Sequence, residues 1–209
     1  MTMTLIKICG ITNLDDALSA VDAGADALGF NFYPPSSRYI EPDAARRIIE
    51  QLPNTILPVG VFVNESAEDV RVIAQDVGLR ALQLHGEESP DYCRQLNDWF
   101  VIKTFAVKEG FDEAATSQFE VNAIMLDASH KEFKGGTGQV IDWSIARRIR
   151  AQGRPLFLAG GLSPENVAVA IKTVEPYAVD SCSALESSPG KKDNDRVMAF
   201  VKVVRGLNL

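Results

Sequence analysis

Along the 209 residues, short apolar segments alternate with amphipathic segments about eight times, at a spacing of roughly 26 residues. The alternation predicts strands at residues 5–9, 25–32, 57–63, 79–84, 100–105, 123–127, 155–158 and 177–180. It predicts helices at residues 13–23, 42–52, 66–76, 89–96, 111–118, 141–151, 163–173 and 193–205. Repeated strand–helix units of this kind indicate a parallel sheet covered by helices.

Eight such units in a chain of this length predict a single (β/α)₈ TIM barrel, of the α/β class, formed by one domain over residues 1–209. A doubly wound open sheet shares the alternation and is the alternative architecture. The barrel is favoured because no Gly-x-Gly-x-x-Gly follows the first strand and because eight uniform repeats exceed what most open sheets show.

Composition excludes several classes of function. With 21 Lys and Arg against 28 Asp and Glu, the formal charge is −7, and without a basic run this argues against nucleic-acid binding. No apolar stretch approaches the ~18 residues that span a bilayer, and the first residues lack the pattern of a signal peptide. The odd set Cys9, Cys93 and Cys182 does not resemble a disulfide framework. We therefore expect a cytoplasmic protein with free thiols and no membrane or nucleic-acid partner.

In a TIM barrel, functional residues follow the C-terminal ends of the strands. Cys9 ends the first predicted strand, and Lys7 shares its face, so the ammonium would favour the thiolate. Cys93 is interpreted as a small core residue, and Cys182 as a small filler in a loop. Polar residues also end other predicted strands; they are Asn31, Asn64, Gln83, His85, Lys103, Asp127 and Asp180.

Asp127 ends the sixth predicted strand, where a carboxyl aimed at a cavity can serve as a general acid. The alternative is a structural carboxylate that accepts hydrogen bonds from loop amides, such as those of Gly135–Gly138. We interpret the segment Gly135–Gly138 as a lid. For Asp180 a structural or substrate-orienting role is favoured. His85 and His130 lie on different loops without acidic ligands at metal spacing, so no metal site is expected.

Two glycine-containing loops follow the last two predicted strands. One contains Gly160 and Gly161, and the other runs from Asp180 to Gly190. TIM barrels often bind phosphate here through backbone N–H groups, which glycine leaves accessible. A tight turn without a ligand is the alternative reading of the diglycine.

These motifs together resemble the phosphoribosylanthranilate isomerase family over nearly the whole chain. The matching segments, in chain order, are Lys7–Thr12, Pro35–Tyr39, Gln83–Gly86, Leu126–Asp127 with Gly135–Gly138, Leu158–Val167 and Pro189–Asp193. The resemblance implies an Amadori rearrangement, in tryptophan biosynthesis, of a phosphoribosyl aminoaldose to an aminoketose. It implies no metal and no redox cofactor, and it leaves a monomer as the expectation and a dimer as the alternative.

The resemblance also implies roles for individual residues. Asp127 would protonate the ring oxygen, Cys9 would remove the C2′ proton, and Arg38 would lie near the anthranilate and contact it or tune Cys9. Substrate contacts are expected from Lys7, Gln83, Gly136, Gly160, Gly161, Asp180, Ser183 and Ala184. The phosphate is expected to bind the backbone of Gly160, Gly161, Ser183 and Ala184.

The segment Asp180–Glu186 departs from the family pattern, because Ala184 replaces the usual glycine and Cys182 replaces a small hydroxyl or amide residue. We expect Ala184 to have an ordinary helical φ. Three other functions remain as alternatives: indoleglycerol phosphate synthase, a histidine-pathway aminoaldose isomerase, and a barrel that binds a phosphosugar without catalysis. The first two are disfavoured because a cysteine ends strand one and Lys103-Thr104 lies on strand five.

Overall fold

The computed structural model describes residues 3–108, 110–128 and 143–207. Across these residues eight parallel strands form a closed barrel, in which each strand pairs with the next and the last pairs with the first. The barrel strands are β1 (Leu5–Cys9), β2 (Ala27–Asn31), β3 (Leu57–Phe62), β4 (Ala81–Leu84), β5 (Phe100–Val107), β6 (Ala123–Ala128), β7 (Leu156–Leu158) and β8 (Ala178–Ser181). The predicted barrel is confirmed, and the open sheet is excluded because β8 pairs with β1.

The helices that surround the barrel are α1 (Leu14–Ala23), α2 (Pro42–Ile49), α3 (Ala67–Val77), α4 (Pro90–Arg94), α5 (Trp143–Arg150), α6 (Val167–Val174) and α7 (Asn194–Gly206). Short 3₁₀ helices cover Glu113–Gln118 and Ser183–Leu185, and a small hairpin joins β9 (Glu186–Ser188) to β10 (Lys191–Lys192). Side-chain oxygens of Asn13, Ser66, Ser89 and Asp193 accept backbone N–H groups at the first turns of their helices. No helix in the described segments has the length and hydropathy needed to cross a membrane.

Alternation along each strand divides the apolar residues into two cores. On β1, Ile6 and Ile8 face the helices, whereas Leu5 packs inside the barrel. The inner core fills the lower part of the barrel with Ala27, Val59, Ala81, Ile102, Ala123, Met125, Phe157, Ala159 and Ala178. Inward-facing residues one step further along the strands are polar, so the C-terminal end of the barrel carries the chemistry.

Several predicted boundaries differ from the observed ones; β2 begins at Ala27 and β4 at Ala81, each two residues later than predicted, and the helix predicted at residues 111–118 is a 3₁₀ helix. Three further differences have a physical cause. β5 continues to Val107, so Lys103 lies within the strand and its side chain pairs with Glu88 in the loop before α4, away from the cavity described below. α2 ends at Ile49 rather than residue 52, because the residue before Pro53 disfavours helical backbone. α6 begins at Val167 rather than residue 163, because the Asn166 amide accepts from Ser163 N and donates to the Gly161 carbonyl, which holds a turn.

Candidate active site

A cavity of about 290 Å³ opens at the C-terminal ends of the barrel strands. It is lined by most of the residues predicted to form the site, namely Cys9, Arg38, Gln83, Asp127, Gly160, Gly161, Asp180, Ser183 and Ala184. Lys7 is absent from this lining because its side chain has no exposed surface. Gly136, the rest of Gly135–Gly138 and His130 lie outside the described residues.

Lys7 and Asp180 form a buried ion pair beneath the cavity. They are register partners on β1 and β8, and Lys7 Nζ donates to Asp180 Oδ1 across 2.9 Å. Burial lowers the pKa of Lys7, but the charges of Asp180 and Cys9 outweigh it and hold the pKa above its usual value. Burial raises the pKa of Asp180 to about 6, against the opposing effect of Lys7. Both groups are therefore charged at neutral pH. Lys7 affects the cavity through its interactions with Asp180 and Cys9, which line it.

Cys9 lies at the end of β1 with only 8% of its surface exposed. A hydrogen bond from the Cys182 thiol lowers the pKa of Cys9 well below its usual value, and the ammonium groups of Lys7 and Lys192 lower it further, against burial. The interaction with Cys9, together with burial, raises the pKa of Cys182, whose Sγ also lies 3.7 Å from Glu186 Oε1. The arrangement favours the thiolate of Cys9.

The close approach of the two sulfur atoms depends on small neighbours. A Cβ on Gly10 would lie 2.9 Å from Cys182 Sγ, and a Cβ on Gly29 would lie 2.7 Å from Cys9 Sγ. Gly10 also has φ +76°, a conformation that side chains rarely adopt. The sequence predicted that Cys182 is only a small filler. In the structure it interacts with Cys9 and lowers the pKa of that thiol.

Glu186 links the rim of the cavity to this pair of thiols. It accepts two hydrogen bonds from the Arg38 guanidinium, Nε to Oε1 at 2.9 Å and Nη2 to Oε2 at 2.7 Å. Buried Lys192 donates to Glu186 Oε1 at 3.0 Å, and its Nζ lies 3.9 Å from Cys182 Sγ. Burial raises the pKa of Glu186, but bonding to Arg38 and Lys192 outweighs it and holds the pKa below its usual value. Arg38 is thus fixed in place by a bidentate pair.

Asp127 is the last residue but one of β6 and lines the cavity, where its carboxylate contacts His85. His85 Nε2 lies 3.4 Å from Asp127 Oδ2, and Gln83 Nε2 lies 2.9 Å from His85 Nδ1. With the Gln83 amide in this orientation, its N–H₂ group donates to Nδ1 of a neutral His85 ring, and the Nε2 side of the ring faces Asp127. The other amide atom, Gln83 Oε1, is buried and has no partner among the described residues. A ligand hydroxyl in the cavity would satisfy it.

The diglycine after β7 has backbone angles that require glycine, with φ +87° at Gly160 and +68° at Gly161. It faces Ser183 and Ala184, which begin the short 3₁₀ helix after β8. The first N–H groups of a helix have no acceptor within it. Among the described residues only Asn64 and Glu175 are non-glycine with positive φ, so the expectation of an ordinary φ at Ala184 is confirmed.

Sequence reasoning did not assign site roles to His85, Cys182, Glu186 and Lys192. His85 could have been found, because it lies two residues after Gln83 and hence on the same face. The other three could be found only from the pairing of β1 with β8. No group of three or more His, Cys, Asp or Glu side chains in the described segments is arranged to hold a metal ion.

Comparison with known proteins places this geometry in one family. Residues 6–203 match the family model described as N-(5′-phosphoribosyl)anthranilate (PRA) isomerase. An N-(5′-phosphoribosyl)anthranilate isomerase of Trichlorobacter lovleyi is 48% identical over 200 residues, which cover 96% of this chain and 97% of the relative.

Solved structures agree with the sequence relatives. A phosphoribosyl anthranilate isomerase from Thermus thermophilus is 36% identical, with a TM-score of 0.89 over 98% of this chain and 100% of that one. A phosphoribosyl anthranilate isomerase in complex with reduced 1-(o-carboxyphenylamino)-1-deoxyribulose 5-phosphate is 44% identical, with a TM-score of 0.85 and the same coverage.

Proposed function

The chain belongs to the N-(5′-phosphoribosyl)anthranilate isomerase family, and we propose that it performs the family's Amadori rearrangement with Cys9 as base and Asp127 as acid. The reaction converts an aminoaldose, N-(5′-phosphoribosyl)anthranilate, into the aminoketose 1-(2-carboxyphenylamino)-1-deoxyribulose 5-phosphate in tryptophan biosynthesis. The observation that carries the residue roles is a thiol of lowered pKa at one wall of a cavity that has a carboxyl group at another.

The first step opens the furanose ring and needs a proton on the ring oxygen. Asp127 is the carboxyl group available for this, because the carboxylate of Asp180 is engaged by Lys7 and that of Glu186 by Arg38. The His85 contact fixes the orientation of the Asp127 carboxyl group. We therefore assign His85 as a positioning residue that acts through Asp127.

The second step removes a proton from C2′ of the Schiff base that ring opening leaves. A thiolate is the reactive form of cysteine, and an unperturbed thiol with a pKa of about 8.5 would be mostly protonated near neutrality. The charges and donors around Cys9 favour the thiolate, which forms by loss of the thiol proton to solvent before the substrate reacts. The resulting enol then tautomerises to the ketone, and the substrate keeps its atoms throughout.

Substrate binding is proposed to use the two ends of the cavity. The phosphate contacts backbone N–H groups of Gly160, Gly161, Ser183 and Ala184, which line the cavity together. Arg38, held by Glu186, lies beside the anthranilate. Gln83 Oε1 accepts a hydrogen bond from a sugar hydroxyl. Gly136 remains a proposed contact outside the described residues. The bound analogue in a solved relative supports a phosphosugar ligand.

We propose further that the enzyme works in the cytoplasm as a monomer and without a metal or redox cofactor. The reaction is an isomerisation by proton transfer within one substrate molecule, so it requires acids and bases rather than an electron carrier. One solved relative consists of monomers generated from a dimeric phosphoribosylanthranilate isomerase of Thermotoga maritima, and light scattering on this chain would distinguish the two states.

A fluorescence assay tests the activity. Phosphoribosylanthranilate should lose its emission when the purified protein is added, in buffer with a metal chelator and without nucleotide. The matched control is Cys93→Ala, which removes a buried thiol on α4 that does not line the cavity. Absence of turnover by the folded wild-type protein would contradict the proposal.

A further inference from the structure

Cys9 and Cys182 occupy equivalent positions on two paired strands. Lys7 and Asp180 are register partners and bond to each other inside the barrel. Cys9 lies two residues after Lys7, and Cys182 lies two residues after Asp180, so the alternation of the strands turns both thiols to the same inward face. Ser181 is still in β8, so the Cα atom of Cys182 continues the line of that strand.

The separation of the two cysteines suits a covalent bond. Neighbouring strands lie about 4.8 Å apart, whereas disulfide-bonded cysteines have Cα atoms about 4.4–6.8 Å apart. Both side chains line the same cavity. At the usual spacing of paired strands, a disulfide can form by rotation of the two side chains.

We propose that Cys9 and Cys182 form a reversible intramolecular disulfide when the protein meets a peroxide or another two-electron thiol oxidant, and that this bond switches the enzyme off. The bond itself rests on geometry alone. The loss of activity rests also on the proposed role of Cys9 as the base.

The chemistry with a peroxide proceeds in two balanced steps. The Cys9 thiolate attacks one peroxide oxygen, the O–O bond breaks, and Cys9 becomes a sulfenic acid. The other oxygen leaves as hydroxide or alkoxide, which takes up a proton to give water or an alcohol, respectively. Cys182 sulfur then attacks the Cys9 sulfur, the S–O bond breaks, and the hydroxyl group leaves as water with the thiol proton. Two electrons pass from the two thiols to the peroxide.

The surroundings of Cys182 favour the second step after the first has occurred. Donation to the Cys9 thiolate is the main cause that raises the pKa of Cys182. Conversion of Cys9 to a neutral sulfenic acid removes that charge. Lys192 Nζ, 3.9 Å from Cys182 Sγ, lowers the pKa of Cys182 against burial and the charge of Glu186, which raise it.

Cys93 provides an internal contrast on the same chain. Burial raises the pKa of Cys93 to about 11, and it is 1% exposed on α4. It is neither a ready nucleophile for an oxidant nor a lining residue of the cavity. The expected oxidation is therefore confined to one pair of thiols.

Diamide, an oxidant that joins thiols without adding oxygen, provides the first test. Reduced protein is treated with diamide, remaining thiols are blocked under denaturing conditions, and peptides are mapped by mass spectrometry. We expect a cross-linked Cys9–Cys182 peptide whose mass is two hydrogen atoms lower than the summed masses of the two reduced peptides. The treated protein should run as a monomer on a non-reducing gel. Wild-type activity should fall by at least tenfold and return with dithiothreitol.

Each variant is compared with its own untreated activity. Cys182→Ser, which keeps a small hydrogen-bond donor, should retain most of its activity in diamide, and Cys93→Ser should behave as the wild type does. With peroxide, wild-type activity should recover on reduction, whereas Cys182→Ser should lose activity irreversibly as Cys9 passes to sulfinic acid.

Two results would overturn the disulfide: a peptide map without the Cys9–Cys182 linkage, or equal loss of activity in diamide by Cys182→Ser and the wild type. A mapped linkage in protein that keeps full activity would instead overturn Cys9 as the base and the switch that depends on it. The map needs no enzyme assay, so the two failures are distinguishable.

Discussion

Lys7 and Asp180 meet where the first and last strands of the barrel pair, with Lys7 Nζ 2.9 Å from Asp180 Oδ1 and the Lys7 side chain completely buried. This contact joins residues 173 positions apart in the chain. It lies one step below the pair Cys9 and Cys182 on the same strands. The Lys7 ammonium, which lies below the proposed base Cys9, therefore has its ion-pair partner Asp180 only when β8 pairs with β1.

Replacing Cys9 with alanine should lower kcat by at least about a thousandfold, because it removes the proposed base at the end of β1, and Cys182, the other cysteine that lines the described cavity, is a thiol of raised pKa. Product affinity should change little, since binding rests on phosphate and carboxylate contacts. Steady-state kinetics and calorimetric titration with product measure the two quantities. Near-normal turnover by Cys9→Ala would exclude Cys9 as the base.

Asp127→Asn keeps the shape of the side chain and removes the proton donor. We expect kcat to fall by about 10²–10⁴-fold, the usual loss for a general acid, with a much smaller change in KM. Thermal unfolding of the variant is the control. If instead Asp127 only accepts hydrogen bonds from the loop, the melting temperature would fall and the activity per folded molecule would be preserved.

Lys7→Met should shift the pH profile. The Lys7 ammonium lowers the pKa of Cys9, so its loss raises that pKa, and the thiolate then forms only at higher pH. The acidic limb of the kcat/KM profile should therefore move to higher pH, with activity partly regained under alkaline conditions. Lys103→Met is the matched control, because it removes another buried lysine that lies outside the cavity. An equal shift in both variants would assign the effect to general destabilisation.

Ala184→Asp should raise KM at least tenfold with a smaller effect on kcat. Two unit charges about 4 Å apart near a protein surface interact by about 4 kcal/mol, and here the interaction with a phosphate is repulsive. Ala184→Asn, of the same size without the charge, separates charge from bulk. If KM is the same in both variants, the phosphate does not lie against the helix that begins at Ser183.

Glu88→Gln should reduce the free energy of unfolding by about 3–5 kcal/mol, because it leaves a buried lysine without its counter-charge. Lys103 Nζ lies 2.8 Å from Glu88 Oε2, and the same carboxylate accepts the backbone N–H groups of Asn64 and Gly86. Urea unfolding measures the change. Asp43→Asn breaks the exposed pair with Arg46 and should cost less than about 1 kcal/mol. Similar losses in both variants would contradict the role of burial.

The barrel could be predicted from periodicity, because buried parallel strands and amphipathic helices leave distinct patterns in the sequence. The strand-end rule also placed Cys9, Asp127 and the diglycine correctly at one cavity. Lys103 shows the limit of that rule. The apolar run there continues to Val107, and nothing local distinguishes a lysine at a strand end from one that pairs with a carboxylate behind the sheet.

The side chains that surround Cys9 could not all be predicted from the local sequence, for a different reason. The sequence showed Lys7 beside it, since both are on β1. The contributions of Cys182 and Lys192 depend on the pairing of β1 with β8, which joins residues far apart in the chain, and on the hairpin that follows β8. Such contacts follow from strand register, which a single sequence does not specify.

Closure of the barrel by β8 against β1 has a consequence during protein synthesis. At about 5–20 residues per second, a ribosome needs roughly 10–35 s to pass from Lys7 to Asp180. In that interval the nascent chain holds Cys9 without Asp180, Cys182 or Lys192, as an ordinary thiol with a pKa of about 8.5. The lowered pKa of Cys9 therefore arises only after Asp180, Cys182 and Lys192 have been translated, so the thiol becomes reactive in the same folding step that brings it to its proposed disulfide partner.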